Sequence, residues 1–113
     1  MTAARAASSK QAHDVVVMDV RELIGITDFF VVASGSSDRQ VRTVAEEIER
    51  ELRAEGLKPV RREGERGGRW MLLDFVDLVA HVFHDEDRGF YRLEHLWADA
   101  PRVEWESAEA SSG

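Results

Sequence analysis

Thr27-Asp28-Phe29-Phe30-Val31-Val32-Ala33-Ser34-Gly35-Ser36-Ser37-Asp38-Arg39-Gln40-Val41 is the stretch whose reading decides the fold. Phe29 to Ala33 is a continuous aromatic and β-branched run, too short for a helix and bounded by turn residues. Such a run reads as a strand covered on both faces. Gly35 can turn the chain at no steric cost. Ser37 then supplies a helix N-cap, and Gln40 three residues later completes a capping-box pattern. Beyond it Val41, Val44, Ala45, Ile48 and Leu52 recur at helical spacing, which predicts an amphipathic helix over Asp38 to Glu55.

Outward from that unit the pattern stays regular. Asp14 to Val20 is an apolar strand, expected beside the Phe29 strand because consecutive strands usually pair. Gly25 turns the connection between them. On the helix, Glu46–Arg50 and Glu49–Arg53 are spaced for weak i,i+4 ion pairs. Gly56 suits the position just past the helix end, and Pro59 follows. Lys58 to Glu63 opens near a proline and carries Arg61 and Arg62, which suits an edge strand. Trp70 to Phe75 and Leu78 to Phe83 predict a hairpin around Val76 and Asp77. Asp87 to Ala100 reads as a helix with Phe90, Leu93, Leu96 and Trp97 on one face, stopped by Pro101. The expected order is an N-terminal segment, then ββαβββα. The fold class is α/β of the α+β type, with a mixed five-stranded sheet and helices packed on it. The Phe29 strand and the Val60 strand are expected to be joined by a right-handed crossover.

These motifs in register resemble the ribosomal silencing factor family, also called the Iojap family. Beside the Thr27–Val41 stretch they are Glu63-Gly64, Trp70-Met71-Leu72-Leu73-Asp74-Phe75 and Asp77-Leu78-Val79-Ala80-His81-Val82-Phe83. Arg88, Phe90-Tyr91, Leu93-Glu94 and Leu96-Trp97 follow. The resemblance runs from about Asp14 to Asp99. It implies a domain that binds the large ribosomal subunit at ribosomal protein L-fourteen, blocks joining of the small subunit and so represses translation, with no cofactor. It also implies a nucleotidyltransferase-like architecture. The expected organisation is a short N-terminal segment or helix over 1–13, the silencing-factor domain over 14–100 and an acidic disordered tail over 101–113.

The composition agrees with one small domain: 113 residues, 43% hydrophobic and 33% charged. The chain has no cysteine, which removes disulfides, zinc–cysteine sites and thiol catalysis. No apolar run nears the ~20 residues of a membrane span, and the first residues hold no apolar signal core, so the expected location is the cytoplasm. The formal charge of −7 disfavours direct DNA binding, which draws on Lys and Arg neutralising phosphates. It suits a basic protein partner, although on charge alone solubility is the better reading.

Several residues invite chemistry. His81 and His84 with Asp85 and Glu86 look metal-like, but strand residues three apart point to opposite faces, so no metal site is expected. Asp74 and Asp77 flank the hairpin turn, where acids usually cap backbone N–H groups. The Gly35-Ser36 junction is similar to the one that opens a nucleotidyltransferase helix, making a nucleotide-binding enzyme the alternative reading. That chemistry needs paired aspartates on the following strand, and Lys58 to Glu63 has none. Alternation places Trp70, Leu72 and Asp74 on one side of their strand, an apolar strip rimmed by acid. Core and interface are equal readings of Trp70 from the residues alone; the resemblance favours the interface. The expected partner-binding region is Trp70, Leu72, Asp74, Asp77 and His81, with Tyr91 and Glu94 from the final helix. A homodimer through the same strip is a further expectation.

Overall fold

The computed structural model describes residues 2–23, 25, 27–64, 69–85 and 99–105. Among them lie two helices and six strands: α1 (Thr2–Ser9), β1 (His13–Asp19), β2 (Phe29–Gly35), α2 (Asp38–Ala54), β3 (Arg61–Gly64), β4 (Trp70–Asp74), β5 (Leu78–His84) and β6 (Arg102–Val103). The strands form one mixed sheet in the order β3-β4-β5-β2-β1-β6.

The Phe29 run sits at the middle of this sheet. β2 pairs antiparallel with β1 and parallel with β5. Val31 to Gly35 are all buried, as a strand flanked on both edges and covered on both faces requires. Both helices pack on one face, where Val17, Val31, Ala33, Leu73, Ala80 and Val82 meet Val41, Val44, Ala45, Ile48 and Leu52 of α2. Ala3, Ala4, Ala6 and Ala7 of α1 are buried in the same cluster. Their small side chains let α1 lie close against α2. The other face gathers Met18, Val20, Val32 and Phe83, with Ala100 packed on them.

Ser37 is the N-cap of α2, and its hydroxyl accepts from Gln40 N–H at 3.1 Å. The second half of the expected capping box is displaced by one residue. Gln40 Oε1 accepts from Ser36 N–H at 2.6 Å and from the Ser36 hydroxyl at 2.8 Å. Its Nε2 donates to the carbonyls of Lys10 and Gln11 at 3.2 and 3.0 Å. Gln40 therefore fastens the end of α1 to the β2–α2 turn. Gly35 is needed for closeness rather than for a left-handed turn: a Cβ there would stand 3.0 Å from Val41 N. Arg50 pairs with Glu47 at 2.6 Å and Glu51 at 2.9 Å, not with Glu46, because Glu47 is buried beside it and needs the partner more. That guanidinium holds the Glu47 carboxyl below its ordinary value. Glu49–Arg53 forms as spaced, and Glu49 also takes Arg62 from β3 at 3.0 Å.

Three expectations are corrected. Among the described residues the sheet has six strands, not five. The strand after α2 spans Arg61–Gly64 and lies at the edge, beside β4 rather than β2. The parallel neighbour of β2 is β5, because the apolar Leu78–Phe83 run fills the central position that charged β3 cannot. Finally, the chain does not leave the fold at Pro101. β6 pairs with β1, and Trp105 is buried on the helix side with its indole N–H donating to Val15 O at 3.2 Å. The final helix expected over Asp87–Ala100 lies outside the described residues except for its last two positions, as do 106–113 of the expected tail.

Candidate partner-binding face

The β4–β5 hairpin builds the face. Its register sets Trp70 opposite Phe83, Leu72 opposite His81 and Asp74 opposite Val79. Strand alternation then puts all six side chains on the side of the sheet away from α1 and α2. His81 also stands opposite Val32 of β2, which brings Phe30 alongside. The result is a ladder of rings across three strands. Trp70 stacks on Phe83 at 6.5 Å between centroids, Phe83 stacks on His81 at 5.8 Å, and Phe30 meets His81 edge-on at 4.9 Å. Offset and edge-on pairs of this kind add to the area they bury.

His81 is chemically the odd member. Both ring nitrogens are buried, and neither has a hydrogen-bond partner among the described residues. Burial pushes its pKa down to about 4, so the imidazole is neutral at physiological pH. It behaves here as a flat, weakly polar ring. His84 points elsewhere: its Nε2 lies 4.0 Å from Asp38 at the start of α2, where Arg69 also approaches at 3.8 Å. The two histidines do not converge. Among the described residues no three His, Asp or Glu side chains gather as a metal set.

The sequence-expected residues divide by exposure. Trp70 and His81 are half-buried, so each keeps an open edge. Leu72 is only 7% exposed and supports the face from within. Asp74 is a turn cap first: its Oδ1 accepts from Val76 N–H at 2.8 Å, and Oδ2 lies 3.9 Å from Arg61. Asp77 is exposed at the hairpin tip, and its carbonyl accepts from the N–H groups of Asp28 and Phe29, both at 3.1 Å. Tyr91 and Glu94 lie outside the described residues. Sequence reasoning passed over Phe30 and Phe83 as members of the ladder. The Trp70 and Phe83 spacings around the turn carried that signal, once the hairpin was aligned on Asp74 and Val79.

A separate cleft of about 560 Å³ lies past the C-terminal end of β1, lined by Asp19, Arg21, Glu22, Leu23, Asp99 and Pro101. Its main charges are already engaged, since Arg21 grips Asp19 at 2.6 Å and lies 5.5 Å from the Phe29 ring centre. No nucleophile with a base stands there.

Fold and face together define a small α+β domain that presents an aromatic sheet face ending in an acidic hairpin tip. The comparisons with known proteins assign it further. The family model described as ribosomal silencing factor during starvation matches residues 1–113. A ribosomal silencing factor RsfS of Halalkalibacterium halodurans is 40% identical over 104 residues, covering 92% of this chain and 89% of that one. The Bacillus subtilis protein of the same name is 39% identical over 99 residues, covering 88% and 84%. A crystal structure from Bacillus halodurans superposes with a TM-score of 0.78 at 37% identity, covering 91% of this chain and 93% of that one. The chain belongs to the ribosomal silencing factor family.

Proposed function

We propose that this protein is a non-enzymatic translational repressor that docks through its β4–β5 face on the large ribosomal subunit, at ribosomal protein L-fourteen. Occupancy is the mechanism: with the domain seated there, the small subunit cannot join. The observation that carries this reading is the ring ladder, whose half-buried Trp70 and His81 share one face with Asp74, on a hairpin that ends in exposed Asp77. That is the composition of an interface core with a charged rim. Trp70 and His81 supply the apolar contact, Leu72 backs them, and Asp74 and Asp77 meet Lys or Arg of the partner. By the family resemblance, Tyr91 and Glu94 are further candidate contacts. The domain acts in the cytoplasm. A homodimer that used this face would compete with the ribosome for it.

The nucleotidyltransferase-like alternative rests on architecture and the Gly35-Ser36 junction. β3 offers Arg61, Arg62 and Glu63 where that chemistry requires paired aspartates, and Ser37 is occupied as a cap. The test is subunit joining. Purified protein added to separated subunits at low Mg²⁺ should lower the yield of joined ribosomes seen by sedimentation. Unchanged joining at saturating protein would sink the proposal.

A further inference from the structure

Among the described residues, four large hydrophobic side chains are exposed: Leu23, Leu57, Val60 and Val76. The strand registers place all four at one end of the sheet, in the three connections β1–β2, α2–β3 and β4–β5. Val76 and Val60 are the most exposed, at 56% and 67%. Both are held by one residue. Asp74 O accepts from Val60 N–H at 2.7 Å, and Asp74 Oδ1 accepts from Val76 N–H at 2.8 Å.

Val76 is also held in an unfavourable backbone. Its φ is 76°, and Asp77 N–H donates across it to Phe75 O at 3.0 Å, closing a three-residue turn. A positive central φ in such a turn is rare, and a branched Cβ makes it worse. Glycine or asparagine would occupy this position without that cost. The fold thus keeps an apolar, branched side chain in solvent at a position where it weakens the hairpin. Strain of this sort persists at contact sites, where something other than stability maintains it.

We propose that Val76, with Val60 beside it, is an apolar knob that enters a socket on a basic protein of the large subunit. This rests on the reading that the β4–β5 face binds such a protein. Two observations select that occupant. The knob is continuous with the face, since β4 runs from Trp70 to Asp74 and ends in the turn that carries Val76. It is also flanked by Asp74 and Asp77, on a chain of net charge −7, so the socket rim should be Lys or Arg.

The experiment measures binding of the full chain to isolated large subunits, beside its melting temperature. Val76→Thr keeps the shape and the strain but adds a hydroxyl to the knob. It should melt within about two degrees of the wild type and bind about tenfold more weakly. Val76→Gly should melt several degrees higher, because the strain is gone, and bind at least as weakly as the threonine variant. Leu57→Ser, in the same connection as Val60 but held against the end of α2 by its N–H to Leu52 O, should bind as the wild type does. A threonine variant that binds as tightly as the wild type overturns the knob, and a glycine variant that melts lower overturns the strain. If the wild type itself does not bind large subunits, the proposed function fails and the knob with it.

Discussion

His81 makes the stability of this domain depend on pH with a defined sign. Its folded pKa is pushed by burial down to about 4, against 6.5 for an unperturbed imidazole. Between those values the unfolded chain binds a proton that the folded chain does not. Stability therefore rises with pH across this window. The contribution is fully present above about pH 6.5, and it is lost as pH falls towards 4. From the two pKa values, lowering pH from about 7.5 to about 5 removes ~2 kcal/mol, and the limit below pH 4 is ~3 kcal/mol. For a domain of this size ~2 kcal/mol lowers Tm by about 8 °C. Carboxylates titrate in the same range, so the quantity to read is a difference between proteins. His81→Leu keeps an apolar side chain and has nothing to protonate. Melting both proteins in steps from about pH 7.5 to pH 4.5 should show the leucine variant losing less stability, with the gap opening below about pH 6.5. Two curves that stay parallel throughout would refute a buried neutral His81.

Other outcomes follow from the same packing. Phe83 is 1% exposed, so Phe83→Ala should cost ~3–5 kcal/mol of folding stability through transfer and cavity terms. Half-buried Trp70→Ala should cost clearly less in a urea melt while weakening binding to large subunits by roughly thirtyfold, the scale of an aromatic hot spot. Ser37→Ala should lose ~1 kcal/mol as the α2 cap disappears. Gln40→Ala should release the end of α1, read as faster tryptic cleavage after Lys10 with little change elsewhere.

Local chemistry was legible in this sequence where neighbours along the chain decide it. The Ser37 cap, the Gly56 helix end with φ of 87°, the antiparallel β1–β2 pair and the turn at Val76–Asp77 all belong to that class. What failed needed distant partners. Nothing in Arg61–Gly64 says that two strands will lie between it and β2, since its own pattern specifies an edge but not which one. β6 was missed because two residues at the head of an acidic, serine-rich stretch carry no periodicity. Only Trp105, which must bury its indole somewhere, hinted at it. The face was half legible: alternation grouped Trp70, Leu72 and Asp74, but the exposure that separates Trp70 from Leu72 depends on what packs over each. Phe30, expected as core, sits at the open side of the ladder and keeps part of its surface exposed.

The parallel seam between β2 and β5 has a consequence for how the chain reaches this structure. Phe29 and Leu78 are register partners about fifty residues apart, and α2, β3 and β4 all lie between them. The β1–β2 and β4–β5 hairpins close short loops and can form independently within microseconds. The middle of the sheet cannot, because its pairing must first offset the entropy of a long closure. Folding should therefore be limited by the meeting of two preformed hairpins. Until they meet, the Phe29–Ala33 and Leu78–Phe83 edges stand open, apolar and nearly without charge. Those are the segments through which newly made chains of this protein would aggregate.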